Sequence, residues 1–147
     1  MRALVQRAAR AAITINGTPA GTMGAGLVVL LGITHSDSEK DVRYLADKCL
    51  GLRIFADKNG KMNRSLLDVG GDLMIVSQFT LYGDCRHGKR PGFTDAANPV
   101  HAIPLYEAFI ARCREAVPGL LTGEFGADMQ VELVNDGPVT LMLESEK

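Results

Sequence analysis

Three short segments carry residue types able to do chemistry. Ser77-Gln78-Phe79-Thr80 sets two hydroxyls and an amide where an apolar run turns polar. Backbone amides and short hydroxyls converge on ligands at such strand ends in α/β proteins; the same groups would also serve simply to satisfy the end of a buried strand. Asn135-Asp136-Gly137-Pro138 reads as a turn between two strands. A Gly-Pro bond can also be cis, which would turn two neighbouring carbonyls the same way and suit them to an amine. Arg86, His87, Lys89 and Arg90 form a dense basic cluster. It is either a solvated loop or a contact for one or two phosphates at the end of a nucleic acid.

Other candidates are weaker in pattern. Cys85-x-His87 has the residue types of a metal site or a thiol nucleophile activated by neighbouring cations. No second ligand pair follows at zinc spacing, and His35 and His101 stand alone, so no metal and no cofactor is expected. Cys49 and Cys113 fit helix-face packing. Gly21, Gly24 and Gly26 lack the spacing of a phosphate-binding loop.

The elements that must position these residues follow from periodicity. Residues 2–7 and 11–15 read as two short strands, closed by an Asn16-Gly17 hairpin turn. Residues 26–33 (GLVVLLGI) are apolar on both faces, as in a strand buried on both sides. Ser36-x-x-Glu39 has capping-box spacing, and Val42, Leu45, Ala46, Cys49 and Leu52 then share one helical face. Lys58-Asn59-Gly60-Lys61 is a turn, residues 62–69 fit no single pattern, and residues 72–81 read as a central strand. A polar segment, residues 82–98, leads to a second helix capped by Asn98-Pro99, with Pro104 predicting a kink or a later start. Residues 129–134 and 139–144 read as the last two strands. The expectation is one α/β domain over residues 1–147, with a sheet or barrel-like core of short strands and two main helices.

Composition bounds the partners. The chain has 147 residues, 16 Lys+Arg against 17 Asp+Glu and a formal net charge of −1. Broad phosphate contact normally needs a basic protein, so a DNA-coating role is not expected. No run approaches the roughly 18 apolar residues of a membrane helix, and the first residues lack a signal-peptide core. Three widely spaced cysteines read as free thiols in a reducing compartment, so the expectation is cytoplasmic.

These segments, in this order, resemble the D-aminoacyl-tRNA deacylase family. The resemblance runs through residues 1–7, 26–32, 51–55, Lys61-Met62, Ser65-Leu66, Ser77-Gln78-Phe79-Thr80-Leu81-Tyr82, residues 125–129 and Asn135-Asp136-Gly137-Pro138-Val139-Thr140. It implies a homodimeric hydrolase that cleaves the ester between a D-amino acid, or mischarged glycine, and the 3′ end of tRNA. It further implies that Gly137 and Pro138, in cis, enter the other subunit's pocket. There their carbonyls would meet the α-amino group and exclude an L side chain. Arg7 would brace that motif and Met129 would line the same pocket. Ser77, Gln78, Phe79 and Thr80 would form the floor, the Phe79 amide stabilising the oxyanion. Thr80 as nucleophile would need a base that nothing in the sequence supplies, so assistance by the 2′-hydroxyl of the terminal adenosine is the implied alternative.

Overall fold

The segment read as two short strands is one strand, β1 (Arg2–Ile15), fourteen residues long. The computed structural model describes residues 1–145. In β1, Ala3 and Val5 face one apolar cluster, whereas Ala8, Ala11 and Ile13 face another. The strand changes core in its middle, which breaks its period-two pattern and makes it look like two. Asn16-Gly17 does turn the chain into β2 (Thr18–Met23), with Ile15 opposite Thr18.

β3 (Gly26–Gly32) pairs antiparallel with the first half of β1 and parallel with β6 (Asp72–Ser77). Burial on both faces explains its unbroken apolar run: Leu27, Val29 and Leu31 meet the helices, while Val28 and Leu30 face the barrel interior. A short β7 (Leu121–Thr122) extends the sheet beside β6. β8 (Met129–Glu144) runs along the whole of β1. The order β2-β1-β3-β6-β7, with β8 on the other edge of β1, makes a nearly closed barrel-like sheet.

β8 corrects the expectation of two strands joined by a turn at Asn135–Pro138. Gln6 pairs with Thr140 and Ala8 with Asn135, so four residues of β8 stand opposite Arg7 alone. The chain bulges out and resumes in the same direction against the same strand, which no reversal would allow.

Among the described residues, three helices cover one face. α1 (Glu39–Gly51) is capped by Ser38, not Ser36, because the Asp41 carboxylate accepts from the Ser38 backbone N–H at 2.9 Å. The patternless segment becomes β5 (Met62–Arg64), paired with β4 (Phe55–Ala56), and a single-turn α2 (Leu66–Val69). α3 (Pro99–Ala116) begins at the Asn98 cap and runs through Pro104 without a later start. The carbonyl that Pro104 leaves unpartnered belongs to Val100, an exposed residue of the first turn. Cys49 and Cys113 are buried and free, Phe109 is fully buried, and the Tyr106 hydroxyl donates to the Ile75 carbonyl at 3.2 Å, fastening α3 to β6.

Candidate active site

The strand read as residues 72–81 ends at Ser77. Leu73 to Val76 are buried; the Gln78 N–H makes a last bond to the Leu31 carbonyl at 2.8 Å, and Phe79–Tyr82 coil into a 3-10 turn. The opening N–H groups of such a turn have no carbonyl within it to bond. The Phe79 ring remains half exposed, and Phe93, which sequence patterns did not single out, packs edge-on against it at 5.1 Å. Its only signal was an aromatic residue after Gly92 in a polar segment.

Beside this turn lies a cavity of about 310 Å³ at the barrel mouth, lined on one side by Val76, Ser77, Gln78 and Phe79 and on the other by residues 125–129 and Val131. The far wall is held from the β1–β2 turn, where the Asn16 N–H donates to the Asp128 carbonyl at 2.8 Å. The Gly123 N–H, bonded to the Ile75 carbonyl at 3.1 Å, ties the same wall to β6. Met129 thus faces Ser77, Gln78 and Phe79 across one pocket.

Thr80 sits on the exposed side of the turn. Its hydroxyl accepts a hydrogen bond from the Gln78 side-chain amide, a group that cannot take a proton from it. The phenol of Tyr82 beneath is pushed well above its ordinary value, by burial first and by Asp37 next, so it holds its proton at neutral pH. The Arg2 guanidinium lies over that ring, 4.5 Å from its centre. Cys85 and His87 ride an exposed loop, and no third His, Cys, Asp or Glu gathers with them among the described residues.

Arg7, Gly137 and Pro138 form a second group. The Gly137-Pro138 bond is cis, and Gly137 has φ +135°, a conformation open to glycine. Arg7 donates from Nε to the Asp136 carbonyl at 3.0 Å and from another guanidinium nitrogen to the Ile54 carbonyl. Asn135, also passed over as a site residue, closes the bulge: its side-chain amide donates to the carbonyls of Arg7 at 3.0 Å and Val139 at 2.9 Å. Gly137 and Pro138 are exposed and do not line the Ser77 pocket. Six residue steps along β8, about 20 Å of strand, separate Met129 from Asn135. Within one chain the two groups stay apart.

A sequence model described as D-Tyr-tRNA(Tyr) deacylase matches residues 4–144. The chain belongs to the D-Tyr-tRNA(Tyr) deacylase family. It is 60% identical over 147 residues to a D-aminoacyl-tRNA deacylase of Thermus aquaticus, covering 100% of this chain and 97% of the relative. It is 54% identical to the D-aminoacyl-tRNA deacylase of Clostridioides difficile strain 630, covering 100% and 99%. Among solved structures, a c-Myc DNA unwinding element binding protein superposes with TM-score 0.93 at 39% identity over 100% of both chains. A probable eukaryotic D-amino acid tRNA deacylase superposes at 0.87 with 17% identity over 98% of each, a likeness of fold. The family is one of hydrolases acting on ester bonds.

Proposed function

We propose that this chain hydrolyses the ester joining a D-amino acid, or glycine, to the 3′ end of tRNA, in the cytoplasm and as a homodimer. The observation that carries the reading is the pocket at the end of β6, where Ser77-Gln78-Phe79 faces Met129, in a chain matched by the family almost end to end. The substrate carbonyl sits on the Ser77–Thr80 floor, and the Phe79 amide takes the developing oxyanion. Thr80 acts on this floor through Gln78, whose side chain it holds, and is not the nucleophile, since its hydrogen-bond partner is an amide. The 2′-hydroxyl of the terminal adenosine assists the attack on the ester.

Chirality is set by Gly137 and Pro138 of a second copy. Their exposure, and the length of strand between them and the pocket of their own chain, support a role across a subunit boundary. Arg7 holds the peptide before them, so their carbonyls meet the α-amino group while the backbone leaves no space for an L side chain. Glycine, without a side chain, is not excluded. The DNA in the name of one structural neighbour concerns that protein; the formal net charge of −1 here favours a partner that makes few phosphate contacts.

The test is hydrolysis of D-tyrosyl-tRNA and L-tyrosyl-tRNA side by side, with chelator present. Loss of the D ester alone supports the reading. Equal loss of both makes the chain a non-selective esterase, and loss of neither makes it a binding module.

A further inference from the structure

We propose that the loop between Asp84 and Gly92 is the RNA-backbone grip of this chain, with Lys89 and Arg90 taking phosphates of the single-stranded 3′ end of tRNA. The inference rests on the deacylase reading and adds to it the surface that holds the nucleic acid.

The loop is built to project. Asp84 and Gly92 exchange two backbone hydrogen bonds, at 2.7 and 2.9 Å, and residues 85–91 between them are all exposed. The basic cluster is smaller than its sequence suggests. Arg86 is committed inside the loop: its guanidinium donates to the Asp84 carboxylate at 2.8 and 2.7 Å, and its backbone N–H adds a bond at 3.0 Å. This pairing holds the Asp84 carboxyl well below the usual carboxylate range and cancels one positive charge. Lys89 and Arg90 make no ion pair among the described residues. Their two positive charges stand together on a chain whose formal net charge is −1 with them included.

Position selects the occupant. Phe93 follows the loop and rests on Phe79, which lines the pocket. Arg90 is three residues from Phe93, so the Cα atoms of the two lie within about 11 Å of each other. An ester seated in the pocket must lead its preceding nucleotides out past the rim. Two adjacent cations beside a half-exposed aromatic pair match a single strand, whose grip combines backbone charge with ring surface; a duplex reader needs a broader basic face.

The experiment measures binding of uncharged tRNA from about 50 to 200 mM salt. Lys89→Ala/Arg90→Ala should weaken binding at low salt and flatten the log–log salt slope by about 1.4, at about 0.7 per single-strand phosphate contact. Lys89→Arg/Arg90→Lys should keep the slope, and so should the control Lys40→Ala/Lys58→Ala on exposed positions elsewhere. On tRNA lacking its last three nucleotides, the difference between wild type and Lys89→Ala/Arg90→Ala should vanish. An unchanged slope overturns the proposal. So does equal flattening by the control, which would make the effect one of net charge, or a difference persisting on truncated tRNA, which would move the contact to the stem. Hydrolysis of D-tyrosyl-tRNA by the wild type is scored separately. Its failure with the slope change intact defeats the catalytic reading and leaves the grip on RNA supported.

Discussion

Arg7 Nε donates to the Asp136 carbonyl across 3.0 Å, while the guanidinium stands 3.6 Å from the Asp136 carboxylate. One side chain of β1 therefore fixes the peptide that leads into Gly137, and the same fork is anchored at Ile54. A planar guanidinium satisfies two carbonyls in different directions at once, which an ammonium on a flexible stem cannot reproduce.

Arg7→Lys should therefore lower kcat/KM for D-tyrosyl-tRNA by about 10- to 100-fold, the worth of one charge-assisted hydrogen bond of about 1.5–3 kcal/mol. Steady-state kinetics beside thermal unfolding checks this. Activity within twofold of wild type would remove Arg7 from the positioning of Gly137.

Thr80→Val separates a floor residue from a nucleophile. Among the described residues the Thr80 hydroxyl is hydrogen-bonded by the Gln78 amide, and both groups border solvent. The variant should keep single-turnover rates within about tenfold of wild type, whereas losing a true nucleophile costs about 10⁴-fold or more. A loss of that size would restore Thr80 to covalent chemistry.

Two thiols set an alkaline limit to stability. Burial pushes the Cys49 and Cys113 thiols up from 9.0 to about 12, with Cys113 adding to the effect at Cys49. The folded chain keeps these protons when the unfolded chain has lost them, so the stability they contribute is full below pH 9 and is lost as pH rises toward 12. The slope approaches about 1.4 kcal/mol per pH unit per thiol. Urea midpoints should fall from pH 8 to pH 10 in the wild type and fall less in Cys49→Ala/Cys113→Ala. At pH 8 a thiol reagent should label exposed Cys85 quickly and the other two only on unfolding.

Gly26 and Gly51 should respond oppositely to alanine. A Cβ on Gly26 would lie 1.9 Å from the Asp72 carbonyl oxygen, where β3 and β6 meet in parallel, so Gly26→Ala should cost about 4 kcal/mol or more, or abolish folding. Gly51 closes α1 with nothing within 4 Å of such a Cβ, and Gly51→Ala should stabilise by about 0.5–1 kcal/mol. Denaturant midpoints of both variants test the pair.

What was legible in the sequence is what neighbours along the chain decide. The Asn16-Gly17 hairpin needs two residues tolerant of positive φ, and the doubly apolar β3 announces burial on both faces; the loss of apolar character at Ser77 and Gln78 was visible, but the strand read through to residue 81 stops at Ser77 because the chain coils into a 3-10 turn there. The helical faces bearing Cys49 and Cys113 follow from 3.6-residue spacing in the same way. Each is a local pattern with one strong physical solution.

Where two local solutions compete, the tertiary structure chose. Ser36-x-x-Glu39 and Ser38-x-x-Asp41 both offer a capping box, and the path from β3 into α1 selected the second. Asp136-Gly137-Pro138 holds turn residues, yet β1 pairs on both sides of it, converting a reversal into a bulge that Arg7 and Asn135 clasp. Arg86 reads as one member of a four-residue basic cluster until Asp84 is seen to hold it. Phe93 counts as a loop residue until its ring meets Phe79. The register of β8 is set by β1, more than a hundred residues away, and side-chain pairing in a loop by how its ends are closed. Neither is written in the spacing of the residues themselves.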